Sequence, residues 1–293
     1  SLVESKSGER GIFNRIAAQK QAKKYGRRDA SYEFGTNPCS EIILRPYQFC
    51  NLTEVVVRAD DTPATIANKV ELATIMGTIQ STFTNFPYLR KIWKTNTEEE
   101  RLLGVSLTGI MDCKWTNGRG EKGFHLSDFL ERIRKRAVET NRIWSNLLGI
   151  SESKAITCVK PSGTVSQLVD SSSGIHARHS PYYVRTVRGD NKDPLTLFLK
   201  EQGVPSEADV MKPDTQTVFS FPMKSPKNAV TRHDMTAIEQ LEMWLVYQRH
   251  WCEHKPSVTV TVRDNEWMEV GAFVFKHFDE MSGVSFLPHS EHT

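Results

Sequence analysis

An α/β fold is predicted for this chain on three observations. Strand and helix signals alternate along its second half, which implies crossover connections and a largely parallel sheet. Its 293 residues suffice for one large domain or two ordinary ones. Its 38% hydrophobic and 25% charged residues are ordinary soluble globular usage, so a sizeable core needs no metal or disulfide staple. The strand candidates fit a complete open sheet or part of a barrel, and periodicity does not choose between them.

The elements are justified in order. Residues 10–25 read as a basic helix with Ile12, Phe13, Ile16 and Ala17 on one side. A Gly/Asn/Pro-punctuated loop follows from Gly35 to Ser40. Residues 49–58 contain a strand, and Pro63 opens an amphipathic helix carrying Ile66, Val70, Ile75, Ile79 and Phe83. Thr97 and Glu100 have capping-box spacing ahead of a helix through Leu103, Leu107 and Met111, and residues 127–148 form another helix. Beyond these, strands are expected at 155–159, 182–187, 217–221, 257–262 and 284–287, with helices near 194–202, 235–252 and 265–280.

A net charge of +3 is too weak to argue for nucleic acid, although it suits anionic small molecules. No run approaches the length of apolar sequence that spans a bilayer, and no apolar signal segment opens the chain. Five cysteines without an export signal point to the cytosol, where thiols stay free or act in catalysis. The first residue is Ser1, within a polar run, and the last are Ser290, Glu291, His292 and Thr293; both ends suggest a piece of something longer.

The chemistry concentrates in Asn37-Pro38-Cys39-Ser40-Glu41-Ile42. Pro38 restricts Asn37 to an extended conformation and sets the entry to a tight turn. The Cys39 thiol and the Glu41 carboxylate, two residues apart, can address neighbouring atoms of one small substrate, and Cys50 follows eleven residues after Cys39. Thiol redox chemistry assisted by a base is one reading. A plain turn with a cysteine acting as a small hydrophobe is the other.

A second segment, Lys160-Pro161-Ser162-Gly163-Thr164-Val165-Ser166, joins a strand to a short helix. Such a loop turns N–H groups and hydroxyls outward as an anion site, or serves only as a helix cap. His176, His179, Cys252 and His254 have no recognised zinc spacing, so loop contacts are the expected role. Cys113 and Cys158 read as structural.

In order along the chain, several segments resemble the catalytic chain of ribonucleotide reductases. They are the 37–42 segment, Phe49-Cys50-Asn51-Leu52, residues 101–112, the 161–166 loop, the Gly174-Ile175-His176 and Pro181-Tyr182-Tyr183 pair, and Ser257-Val258-Thr259-Val260. The short gap between Cys39 and Cys50 resembles the adenosylcobalamin-dependent class. Residues 283–288 lack the tandem tyrosine of diiron-dependent large subunits, and no glycyl-radical motif is present.

The resemblance implies the later half of a ten-stranded α/β barrel. Residues 1–293 would form one partial barrel domain, with a central finger loop near 35–48, a helical segment at 63–148 and a phosphate loop at 160–166. It further implies that Cys39 becomes a thiyl and takes the ribose 3′-hydrogen, that Glu41 is the general base, that Asn37 bonds the sugar and that Cys50 is one of two redox cysteines. Pro161, Ser162, Gly163, Thr164, Val165 and Ser166 would hold the substrate phosphates. Adenosylcobalamin is the implied cofactor, with its binding residues unassigned. The implied partners are a ribonucleotide (a triphosphate by preference), thioredoxin or a similar dithiol, and a missing N-terminal half. No membrane or direct nucleic-acid partner is expected, and the chain alone is not expected to turn over. The alternatives are a diiron-dependent large subunit and a non-catalytic half-barrel needing a complementing chain.

Overall fold

A computed structural model describes residues 11–289; the polar opening run and the last four residues, on which the reading of the ends rests, lie outside the described residues. The first elements are β1 (Gly11–Phe13), α1 (Arg15–Lys23), β2 (Gly35–Thr36), β3 (Ile43–Leu44) and β4 (Asn51–Val56). Then come α2 (Pro63–Gln80), α3 (Lys91–Glu100), β5 (Leu103–Thr108), a 3₁₀ turn at Ile110–Asp112, α4 (Leu126–Leu148), β6 (Thr157–Cys158) and α5 (Val165–Leu168). The remainder is β7 (Tyr182–Asp190), α6 (Pro194–Glu201), β8 (Ser206–Ala208), β9 (Gln216–Lys224), α7 (Ala237–His250), β10 (Thr259–Val262), α8 (Trp267–Lys276) and β11 (Gly283–Pro288). They fall into two compact units, residues 179–227 and the rest.

In the larger unit β4, β5 and β6 form a parallel sheet, with Asn51 opposite Leu103 and Val105 opposite Thr157. Every residue of β5 is buried. This overturns the expected helix through Leu103, Leu107 and Met111, and sets a strand inside the helical segment expected at 63–148. The capping-box residues Thr97 and Glu100 instead end α3, and Arg101 stops it in the left-handed region at φ 42°. A central parallel strand is covered on both faces, so it reads as an unbroken apolar run rather than an alternating one.

Helix α2 packs on β4, β5 and α4 through Ile66, Val70, Ala73, Thr74, Gly77 and Thr78. Ile79 and Phe83, expected on that stripe, are exposed, and Phe83 lies beyond the helix end. Small residues take the buried face because α2 approaches closely: a Cβ on Gly77 would stand 3.5 Å from Leu103 and Thr53. The Thr74 and Thr78 hydroxyls donate to carbonyls one turn back at 2.7 and 2.8 Å, which hides their polarity inside the helix.

The helix expected over 10–25 begins only at Arg15, after an Asn14 cap. Ile12 lies in β1, antiparallel to β11, which runs parallel to β10. Helix α1 buries Ala17, Ala18, Gln21 and Ala22 and leaves Ile16 exposed. The smaller unit is the antiparallel sheet β7-β9-β8 with α6, so the expectation of a largely parallel sheet fails there.

A buried ion pair braces the floor of the larger unit. Arg178 donates to Asp112 through Nε at 2.9 Å and Nη2 at 2.8 Å, and to Asp170 through Nη1 at 2.9 Å. Asp112 also accepts from the Ser172 N–H at 2.9 Å. Removing one partner strands the other charge in the interior. Arg178→Met is therefore expected to destabilise the fold by about 3–5 kcal/mol in urea denaturation. A loss under about 1 kcal/mol would mean the pair is hydrated and structurally idle.

Candidate active site

Strands β2 and β3 pair antiparallel, Gly35 opposite Leu44 and Thr36 opposite Ile43, and the 37–42 segment is the turn between them. The Ser40 N–H closes that turn on the Asn37 carbonyl at 2.9 Å, with Ser40 left-handed at φ 64°. The Asn37 side-chain oxygen accepts from the Ile42 N–H at 3.0 Å, which leaves its NH2 as the group able to meet a ligand. The base of the hairpin is gripped from two sides at Ile43. Arg28, paired with Glu100 at 2.9 Å, donates to the Ile43 carbonyl at 2.8 Å. His254 Nδ1 accepts from the Ile43 N–H at 3.3 Å while Nε2 meets the Leu103 carbonyl at 2.9 Å. Burial and the nearby Arg28 push the His254 pKa down to about 3, so the ring is neutral and donates through Nε2.

The Cys39 thiol is exposed at the tip, whereas Glu41 is 0% exposed. Neither Glu41 carboxylate oxygen has a hydrogen-bond partner among the described residues. Lys160, reaching across from the end of β6, stands 3.5 Å from Glu41 Oε1 and 3.9 Å from Cys39 Sγ. The first of these is an ion-pair contact without hydrogen-bond alignment. Burial opposes the charge on Lys160, but the Glu41 carboxylate and Cys39 outweigh it and raise the lysine's pKa.

Lys255 is fully buried under the same turn and donates to the carbonyl and hydroxyl of Ser40. Burial lowers its pKa to about 8, against the pull of the Glu41 carboxylate. The half-buried Cys50 sits just ahead of β4, and desolvation, then Glu41, drive its thiol pKa upward.

The 160–166 loop leaves β6 beside this turn, with the Lys160 N–H on Ser106 Oγ at 2.8 Å. Its Ser162 and Ser166 hydroxyls do not face outward as expected. Ser162 is buried in the left-handed region at φ 45° and donates to Glu54 on β4. Ser166 donates to the Ser162 carbonyl and lies 2.8 Å from the Ser173 hydroxyl. The hydroxyls are consumed in holding the loop's shape because both side chains are enclosed. Gly163 and Thr164 are exposed, and among the described residues the backbone N–H groups of Ser162, Gly163, Thr164, Val165 and Ser166 donate to no acceptor. Pro161 offers no N–H. Gly174 packs against the loop's entry, where a Cβ would fall 2.3 Å from the Lys160 carbonyl.

The structure thus gathers Cys39, Glu41 and the start of the phosphate-loop candidate around Lys160, with Asn37 in the same turn and Cys50 just ahead of β4. Sequence reasoning passed over Lys160 as a binding side chain, took Ser257 only as part of a resembling segment and gave Lys255 no role. A lysine between His254 and Pro256 carries no pattern that marks it as buried. His176 and His254 serve as loop ties: His176 meets the Ser173 carbonyl at 2.8 Å and the Thr259 N–H at 3.0 Å. Among the described residues no three His, Cys, Asp or Glu side chains group as metal ligands. Cys113, Cys158 and Cys252 are buried free thiols.

No family model matches the chain. It is 29% identical over 97% of its length to the adenosylcobalamin-dependent ribonucleoside-triphosphate reductase of Lactobacillus delbrueckii subsp. bulgaricus, and covers 42% of that protein. A probable reductase of the same description from Dictyostelium discoideum is 28% identical over 88% of the chain, 33% of that protein. The crystal structure of a B12-dependent (class II) ribonucleotide reductase superposes on 88% of this chain and 39% of its own, with TM-score 0.75 and 26% identity. The Actinobacillus ureae class Id ribonucleotide reductase alpha subunit, at 13% identity and TM-score 0.63, shares the fold. Along nearly its whole length, then, the chain is a relative of the adenosylcobalamin-dependent ribonucleoside-triphosphate reductases, spanning about two fifths of their length with the matching part of the class II fold.

Proposed function

We propose that this chain is the thiyl-radical core of an adenosylcobalamin-dependent ribonucleotide reductase, converting ribonucleotides, by preference triphosphates, to 2′-deoxyribonucleotides for DNA synthesis. The carrying observation is the exposed Cys39 thiol at the tip of a hairpin beside the buried, unbonded Glu41 carboxylate. A radical cysteine must meet substrate, and a base in contact with a ribose hydroxyl must have an oxygen to spare; this turn offers both.

When bound, the cobalamin group would supply a radical able to accept the hydrogen atom of the Cys39 thiol, which oxidises Cys39 to a thiyl. The exposed Cys39 thiol, standing at the tip of its turn, suits such a step. The Cys39 thiyl takes the ribose 3′-hydrogen. Glu41 accepts the 3′-hydroxyl proton, and the 2′-hydroxyl, protonated by one of the two redox thiols, leaves as water. Asn37 donates its free NH2 to the sugar. Cys50, held as a thiol by burial, is one of two thiols that give the electron pair and end as a disulfide. Cys39 then returns the 3′-hydrogen. The five N–H groups of residues 162–166, without an acceptor among the described residues, support substrate-phosphate binding there, next to Lys160.

The two-fifths coverage makes a partner polypeptide part of the proposal, with thioredoxin or a similar dithiol as reductant. On this reading 1–293 is one partial barrel domain. Among the described residues no helix is long and apolar enough to cross a membrane, and five free cysteines support a cytoplasmic setting. The diiron-dependent alternative is less favoured, since the class Id likeness extends to fold alone.

The test is to assay the chain with adenosylcobalamin and a dithiol, alone and with a polypeptide supplying the rest of a relative's length. Product is expected only from the mixture. Robust turnover by the chain alone would defeat the partial-enzyme reading. A well-folded complex with no reductase activity would favour the non-catalytic half-barrel.

A further inference from the structure

We infer that Lys255-Pro256-Ser257 is a positioning clasp that sets the Cys39 thiol and the Glu41 carboxylate relative to each other; its catalytic consequence rests on the reductase reading above. The segment holds three consecutive residues of the turn. Ser257 Oγ donates to the Cys39 carbonyl at 2.6 Å. Lys255 Nζ donates to the Ser40 carbonyl and lies 3.3 Å from the Ser40 hydroxyl. The Lys255 N–H donates to the Glu41 carbonyl at 3.2 Å.

A hairpin of two-residue strands with a left-handed serine at its tip has little rigidity of its own. The clasp, in contrast, is pinned from behind. Val159 brackets it, donating to the Lys255 carbonyl at 3.3 Å and accepting from the Ser257 N–H at 2.8 Å. The buried indole of Trp244 on α7 donates to the Pro256 carbonyl at 2.9 Å. Gly283 leaves the room the lysine needs, since a Cβ there would fall 2.9 Å from Lys255 Cε.

Lys160 follows Val159 directly, so one short stretch anchors both the clasp and the ammonium between Cys39 and Glu41. Removing a clasp contact should therefore let the turn drift while the sheet behind it stays in place. Displacements of about an ångström at a reacting group lower rates on the order of a hundredfold.

The test uses Ser257→Ala, Ser257→Thr and Lys255→Met. In the chain itself, amide hydrogen exchange at Ser40 and Ile42, whose N–H groups close the turn, is expected to rise at least about tenfold in Ser257→Ala and Lys255→Met. The β5 amides serve as the unchanged reference, and Ser257→Thr, which keeps the hydroxyl, should restore protection. In the assembled reductase kcat is expected to fall roughly 10–100-fold in Ser257→Ala with KM within about twofold. Unchanged exchange at Ser40 and Ile42 in Ser257→Ala would overturn the clasp. Raised exchange with unchanged kcat would overturn its positioning role. Should the unsubstituted assembly lack reductase activity, the functional reading fails, and the exchange data still decide whether the clasp holds the turn.

Discussion

Cys39→Ser is expected to remove ribonucleotide reduction entirely from the assembled enzyme. The loss should be on the order of 10³–10⁶-fold, as when the reacting atom of an enzyme is taken away. A hydroxyl can occupy the position of the thiol, but its hydrogen is far harder to remove, so no radical forms at the tip. Because Cys39 is exposed and the one hydrogen bond of its Sγ among the described residues is the 3.9 Å contact with Lys160, the fold has little to lose. Nucleotide binding should stay within about twofold, since phosphate contacts carry most of it. Equilibrium binding and single-turnover product formation check the two halves of the claim. Appreciable turnover in the serine variant would take Cys39 out of the radical role.

Glu41→Gln separates chemistry from stability in the opposite way to an ordinary core substitution. The carboxylate is enclosed, unbonded at both oxygens and faced by one ammonium at ion-pair distance. A charge held so is a cost to the fold, and the amide of the same shape relieves it. The variant should unfold at the same temperature or slightly higher. Its kcat should fall by about 10²–10⁴, the usual worth of a positioned base. If kcat and stability fall together, Glu41 is a structural anchor; if kcat stays, another group takes the 3′-hydroxyl proton.

Much of the frame was legible in the residues alone. The 127–148 helix, the strand after Cys50 and the alternating 259–262 strand carry signals that packing only reinforces. The 103–108 strand was not, because its apolar residues serve two covered faces and so show no period of two. Ile12 and Phe13 read as helix because their strand exists only through pairing with β11, some 270 positions on. The antiparallel β7-β9-β8 sheet likewise looks like any other series of strands until partners are known.

By itself the sequence determined the ordered motifs, and with them the turn that brings a thiol and a carboxylate within two residues of each other. Those are local facts, written in adjacent positions. Only the tertiary structure decided what surrounds them. Lys160 meets Cys39 across 121 positions, and Lys255 meets Ser40 across 215. It also turned the Ser162 and Ser166 hydroxyls inward, leaving the loop's backbone N–H groups as donors. No spacing rule reaches that far, because these contacts join a hairpin turn, a strand end and a loop that only the packed fold brings together.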